Sequence, residues 1–197
     1  MKNVAALLLC LVLVFSLCAC GKSEPAAEDE PAAGMPNPMT AYDSLDDVNK
    51  AVGGNLCGPG AMGVSDEAFF VINGGSFKIG EYQFKMNGYE YCLRCAKTVE
   101  DISGVYLSGG EGTAFSGIRI AAEGEDTADG EIVLDSGSSL TISDSGMQSV
   151  SDDTYKCARW FVDDMQYVLT VNDGGALEQD TFTSVASEFM AKTQGNM

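Results

Sequence analysis

Apolar and polar side chains alternate along Tyr82–Met86 and again along Tyr89–Leu93, with Asn87-Gly88 between the two runs. A period of two is the signature of a half-buried strand. Asn-Gly between such runs predicts a type I′ turn, which needs positive φ at both central residues. A two-residue loop then sets the register. Met86 faces Tyr89, Phe84 faces Tyr91 and Tyr82 faces Leu93 on one side of the ribbon. On the other side Lys85 faces Glu90, Gln83 faces Cys92 and Glu81 faces Arg94. The first side reads as the core face and the second, with its two opposite-charge pairs, as the solvated face.

The same reasoning finds a second hairpin in Lys156–Val171, turning at Asp163-Asp164. It sets Val162 against Met165, Trp160 against Tyr167 and Ala158 against Leu169. Ala68–Ile72 forms a further strand before Asn73-Gly74-Gly75. Glu131–Asp135 and Ser139–Ser143 flank Ser136-Gly137-Ser138 as two more strands, in a register that remains open. Two stretches carry the helical period instead. In Ser44–Gly54, Ser44 is the expected N-cap with Asp47 three residues on, Leu45, Val48 and Val52 share a face, and the glycine pair ends the helix. In Asp180–Lys192, Asp180 is the expected cap and Phe182, Val185 and Phe189 form the apolar stripe. The predicted fold class is α+β: a curved antiparallel sheet of hairpins and meanders, with a short N-terminal helix and a C-terminal amphipathic helix.

The N-terminus departs from both patterns. Lys2 precedes an apolar run, Val4–Leu17, which leads into Leu17-Cys18-Ala19-Cys20. A basic residue, a short apolar run and a small residue before the break are the marks of a secretory signal. The last four residues resemble a bacterial lipobox. That resemblance implies cleavage after Ala19 and a diacylglycerol thioether with palmitate-class acyl chains on Cys20. Two chains anchor stably where one is marginal. The residues that follow are rich in Ala, Glu and Pro and lack apolar periodicity, so they read as a disordered tether. The expected organisation is a signal peptide over 1–19, the tether over 20–38, one globular domain over 39–193 and a tail over 194–197. The expected location is the extracytoplasmic face of the cell membrane, held by the lipid.

Charge and residue usage then narrow the function. The chain carries a formal −18, and loss of residues 1–19 removes only Lys2, leaving −19. Such a field repels nucleic acid and favours an envelope protein or a cationic peptide as partner. There is no histidine. Ser-His and Cys-His nucleophile pairs and histidine metal ligands are therefore excluded. No Ser-x-x-Lys, phosphate loop or dinucleotide fingerprint is present. The acidic stretch Glu123–Ser136 fits a calcium loop poorly, because Ser136 stands where a bidentate Glu is needed. It reads as a solvated loop.

Cys92-Leu-Arg-Cys95 is the one motif with redox or metal spacing. On a strand, however, residues three apart point to opposite faces and span roughly 10 Å, beyond the roughly 7 Å that a disulfide allows. A thioredoxin-type site needs its cysteine at a helix N-terminus, and a zinc knuckle needs a turn. Cys57, Cys92, Cys95 and Cys157 are therefore expected as free thiols, with a long-range disulfide as the alternative and no metal site.

Asn37–Asp47, Glu90–Tyr106 and Ala158–Leu169 resemble a family of uncharacterised lipoproteins from Gram-positive anaerobes. The hairpin and final helix are similar to a domain of unknown function found on anti-sigma-like proteins. This resemblance brings no established activity, and no cofactor is expected. The reading is a monomeric, non-enzymatic interaction or sensing module, in which Trp160, Tyr167, Tyr82 and Tyr91 line an apolar groove or, alternatively, form core. A thiol- or carboxylate-based enzyme or a small-ligand-binding protein is the competing reading.

Overall fold

A computed structural model of the protein describes residues 38–60, 63–105, 113–115, 130–133, 139–143, 145–173 and 175–195. The expected signal peptide, Cys20 and the expected tether up to residue 37 lie outside the described residues, as does most of the acidic stretch around Glu125.

Among the described residues, nine strands form one open antiparallel sheet: β1 Met39–Tyr42, β2 Ser65–Asn73, β3 Lys78–Met86, β4 Tyr89–Ala96, β5 Gly130–Val133, β6 Ser139–Ile142, β7 Gln148–Ser151, β8 Tyr155–Val162 and β9 Met165–Asn172. Their spatial order is β1-β2-β3-β4-β9-β8-β7-β6-β5. The first four strands run as a meander from one edge to the middle. The chain then crosses to the far edge, and a second meander brings β9 back against β4. With two helices, this is the α+β antiparallel architecture expected from the periodicity.

The first hairpin has the predicted register throughout, from Met86↔Tyr89 to Glu81↔Arg94. Asn87 and Gly88 take φ of 53° and 85°, as a type I′ turn demands. The second hairpin pairs Val162↔Met165, Trp160↔Tyr167 and Ala158↔Leu169, also as predicted. The open register of the third resolves to Val133↔Ser139 and Ile132↔Leu140.

Helix α1, Leu45–Val52, is capped by Ser44, whose Oγ accepts from the Asp47 N–H at 3.2 Å, and it ends at Gly53 with φ 69°. Val48 and Val52 press onto β3 at Gly80, where a Cβ would stand 3.0 Å from both side chains. Helix α2 runs Gln179–Gly195 and buries Phe182, Val185, Ala186, Phe189, Met190 and Thr193. Its start differs from expectation. Asp180 lies inside the first turn, and the first helical bond joins the Phe182 N–H to the Glu178 carbonyl. The chain is set earlier, by Asp173, whose carboxylate accepts the Leu177 and Gly175 N–H groups and pairs with Lys156 at 3.0 Å. The helix also continues past the expected end at Lys192 and into the expected tail as far as Gly195. Thr193, in this extension, is buried, accepting from Trp160 Nε1 at 3.0 Å and donating to the Met190 carbonyl.

Both helices cover one face of the sheet. The other face is not the solvated one that the hairpin pattern suggests. The crossover after β4 lies across it and adds a second apolar cluster of Ala96, Ile102, Val105, Ala114, Phe115, Val150, Cys157 and Val168. Glu81 is consequently buried rather than exposed.

Candidate functional site

The aromatic groove expected on the helix face is filled. Trp160, Tyr167, Tyr82 and Tyr91 are all buried in the main core. Trp160 stacks on Tyr167 at 5.8 Å, and Tyr82, Phe84 and Tyr91 form a stacked series that Phe189 of α2 closes. Three of the polar tips bond inside the domain: Tyr167 Oη accepts the Asn55 N–H, Tyr82 Oη donates to Glu67 and Trp160 Nε1 donates to Thr193. Burial pushes the Tyr167 phenol up to about 12, and burial followed by the Glu67 carboxylate pushes Tyr82 up as well. These four residues are core, because two helices supply the apolar lid that a ligand would otherwise have to provide.

The crossover face carries the polar groups. Strand pairing sets them in two adjoining rows across the sheet. The inner row is Glu81–Arg94–Val168–Arg159–Gln148 and the next is Gln83–Cys92–Thr170–Cys157. Arg94 organises the inner row. Its Nε donates to Glu81 Oε2 at 2.6 Å, and its Nη1 donates to the carbonyls of Ile102 and Ser103 in the crossover. Gly104 makes room for it: φ there is 66°, and a Cβ would lie 2.2 Å from Nη1. Gln166 pins the same segment, donating through Nε2 to the carbonyls of Thr98 and Glu100. Asp101 completes the clasp by accepting the Ser103 and Phe115 N–H groups. A single crossover is thus tied to the sheet at several points by hydrogen bonds that burial strengthens.

Beyond the clasp the crossover face opens into a cleft of about 370 Å³. Its floor is Gln83, Cys92 and Thr170. The next row outward, Lys85–Glu90–Asn172–Tyr155, forms its walls. Asp66 reaches the same rim from β2 by way of a bulge. Between Ser65↔Lys85 and Ala68↔Gln83, two residues stand against the single Phe84. Asp66 takes φ 53°, which directs Asp66 to the cleft and Glu67 to Tyr82 on the opposite face. Bulges commonly re-aim side chains in this way beside functional sites. Lys85 Nζ bridges Asp66 at 3.1 Å and Glu90 at 3.3 Å, and the two carboxylates, Asp66 first, raise the ammonium pKa.

The four thiols of the domain are unpaired and lie on different faces. Cys92 is on the cleft floor and Cys95 on the helix face, three residues along the same strand, as the alternation requires. Cys95 packs under the end of α1, where a Cβ on Gly54 would meet its Sγ at 2.5 Å. Burial pushes Cys92 up to about 12, with Arg94 opposing and Glu81 reinforcing it. Burial also pushes Cys95 up to about 12 and Cys57 up to about 11. Cys157 is raised too, by burial and then by Asp101 and Asp152. A protonated thiol is a poor nucleophile and a poor metal ligand. Among the described residues, no three Cys, Asp or Glu side chains gather as a metal site would need.

Sequence reasoning placed Gln83 beside Cys92 and Lys85 beside Glu90, so half of the residues named around the cleft were within its reach. It missed Thr170, Asn172 and Tyr155, which arrive through the long-range β4–β9 pairing, and Asp66, which depends on the bulge. No family model, no curated protein and no solved structure matches the chain.

Proposed function

We propose that the chain is a lipid-anchored protein of the outer face of the cytoplasmic membrane whose folded domain binds a partner or ligand and performs no thiol chemistry. The observation that carries this reading is the state of Cys92. It is the only thiol lining the cleft, and burial holds it protonated, with a pKa near 12. The cleft therefore offers hydrogen-bonding groups without a nucleophile. The lipobox-like Leu17–Cys20, the Ala-, Glu- and Pro-rich stretch and a first strand at Met39 support the anchored arrangement. So does the resemblance to lipoproteins of Gram-positive anaerobes.

The test is a native mass spectrum of the full chain extracted from its own membranes in mild detergent, followed by cross-linking. The expected chain begins at Cys20, carries a diacylglyceryl mass, has four reduced thiols in the domain and cross-links to an envelope component. A chain that keeps residues 1–19 without lipid would overturn the anchoring. A thiol-exchange activity abolished by Cys92→Ala would overturn the non-enzymatic reading.

A further inference from the structure

The geometry points to the cleft as a binding site for a small hydrogen-bond-donating cation, an alkylammonium group, seated between the Asp66–Glu90 rim, the Gln83 and Thr170 floor and the Asn172 wall. This inference rests on the proposed binding role and names the chemistry of the ligand.

The argument is an inventory of what the cleft has left to offer. Gln83 commits an Nε2 hydrogen to Glu81, Thr170 commits its hydroxyl hydrogen to the Cys92 carbonyl, and Asn172 commits an Nδ2 hydrogen to Tyr155 Oη. What these three groups have left is weighted toward acceptors: two amide oxygens and the lone pairs of a hydroxyl, against one remaining N–H on each amide. On the rim, Lys85 engages Asp66 Oδ2 and Glu90 Oε1, so one oxygen of each carboxylate stays free for a second donor. Two carboxylates against one ammonium leave the rim with a net negative charge, in a chain that is already at −18. Tyr155 adds an aromatic wall of the kind that receives ammonium groups. An anionic ligand would meet acceptors and carboxylates on most sides. A neutral apolar one would leave the floor groups unpaired, which is costly where they are shielded from water. The volume lies within the range of small-ligand clefts.

The same chemistry exists in a free amine and in a lysine side chain of a basic peptide, and calorimetry on the full chain in mild detergent separates them. The probes are 1,5-diaminopentane and acetyl-Ala-Lys-Ala-amide, with 1,5-pentanediol and acetyl-Ala-Glu-Ala-amide as controls. Both cationic probes, or one of them, should bind while the controls do not. The tighter probe identifies the source. Glu90→Gln and Asp66→Asn should together weaken binding by roughly tenfold, as two partly exposed charge contacts would. Lys85→Met should tighten it, because it removes the competing ammonium. Asp180→Asn, exposed on α2 away from the cleft, should leave it unchanged. The inference is overturned if neither cationic probe binds, if pentanediol binds as well, or if Asp180→Asn weakens binding as much as the rim substitutions do. A lipidated chain that binds no amine would sink the cleft assignment alone. An amine-binding chain without lipid would sink the anchoring alone.

Discussion

Arg94 and Glu81 meet across the β3–β4 ladder with Nε 2.6 Å from Oε2, and the same guanidinium holds two carbonyls of the crossover above them. This one contact joins the first hairpin to the segment that converts a solvated sheet face into a second core. Glu81 has no exposure at all, so its charge depends on Arg94 for compensation.

Arg94→Met should therefore destabilise the domain by about 3–5 kcal/mol, the range for breaking a buried ion pair from one side. The double variant Glu81→Leu/Arg94→Met should recover much of that loss, since no unpaired charge remains. Denaturant midpoints measure both, and hydrogen exchange over 97–105 should rise in each because the crossover carbonyls have lost their donor. A double variant as unstable as the single one would mean that the crossover bonds, not the charge pair, dominate.

Gly104 provides an independent check on the same clasp. Its φ of 66° and its approach to Arg94 act together, whereas Gly88, with φ 85°, has open space where a side chain would go. Gly88→Ala should cost only the left-handed conformation, about 1–2 kcal/mol. Gly104→Ala should cost clearly more, because the methyl displaces the guanidinium as well. Equal losses in urea titrations would show that Arg94 moves aside freely.

Local signals account for what was legible. Asn87-Gly88 and the alternation around it determined six cross-strand pairs, because a two-residue turn leaves no freedom in register. Ser44 and Gly53 likewise marked both ends of α1 through their own backbone preferences. The β4–β9 pairing had no such marker. It joins residues far apart in sequence, and either strand could have been an edge. The consequence was an inverted reading of one sheet face: Glu81 and Arg94 look solvated in a hairpin considered alone, whereas Glu81 is buried and Arg94 mostly covered in the domain, where Arg94 holds the Ile102 and Ser103 carbonyls of the crossover. The four aromatics were correctly placed on one face, but their alternation could not say whether a ligand or α2 covers it. Asp66 was invisible for a different reason, since a bulge shifts parity without leaving a turn residue behind.

Asp173 makes stability depend on pH in a defined direction. Burial opposes its charge, but Lys156 and the Leu177 and Gly175 N–H groups outweigh burial and hold the pKa below its ordinary value of 3.8. A carboxylate whose folded pKa is lowered contributes stability above its unfolded pKa and loses that contribution as pH falls through the folded one. The stability gap between the native chain and Asp173→Asn should then be constant from neutral pH down to about 5 and shrink below 3.8. Urea unfolding at successive pH values gives the curve. A gap that widened on acidification would contradict the assignment of Asp173 as an ionised partner of Lys156.

Thiol reactivity discriminates between the binding and enzymatic readings without knowing the ligand. Alkylation by iodoacetamide at pH 8 proceeds through the thiolate, and an unperturbed cysteine near pKa 8.5 has a substantial thiolate fraction there. Cys57, at about 11, should react roughly two-hundredfold more slowly than a free thiol from its thiolate fraction alone. Cys92, at about 12, should be slower again despite lining the cleft, and Cys95 and Cys157 should stay unmodified until the domain unfolds. Peptide mapping by mass spectrometry after timed alkylation orders the sites. Labelling of Cys92 at the rate of a free thiol would mean that the Glu81–Arg94 surroundings activate it, and the cleft would then have to be read as the pocket of a thiol enzyme.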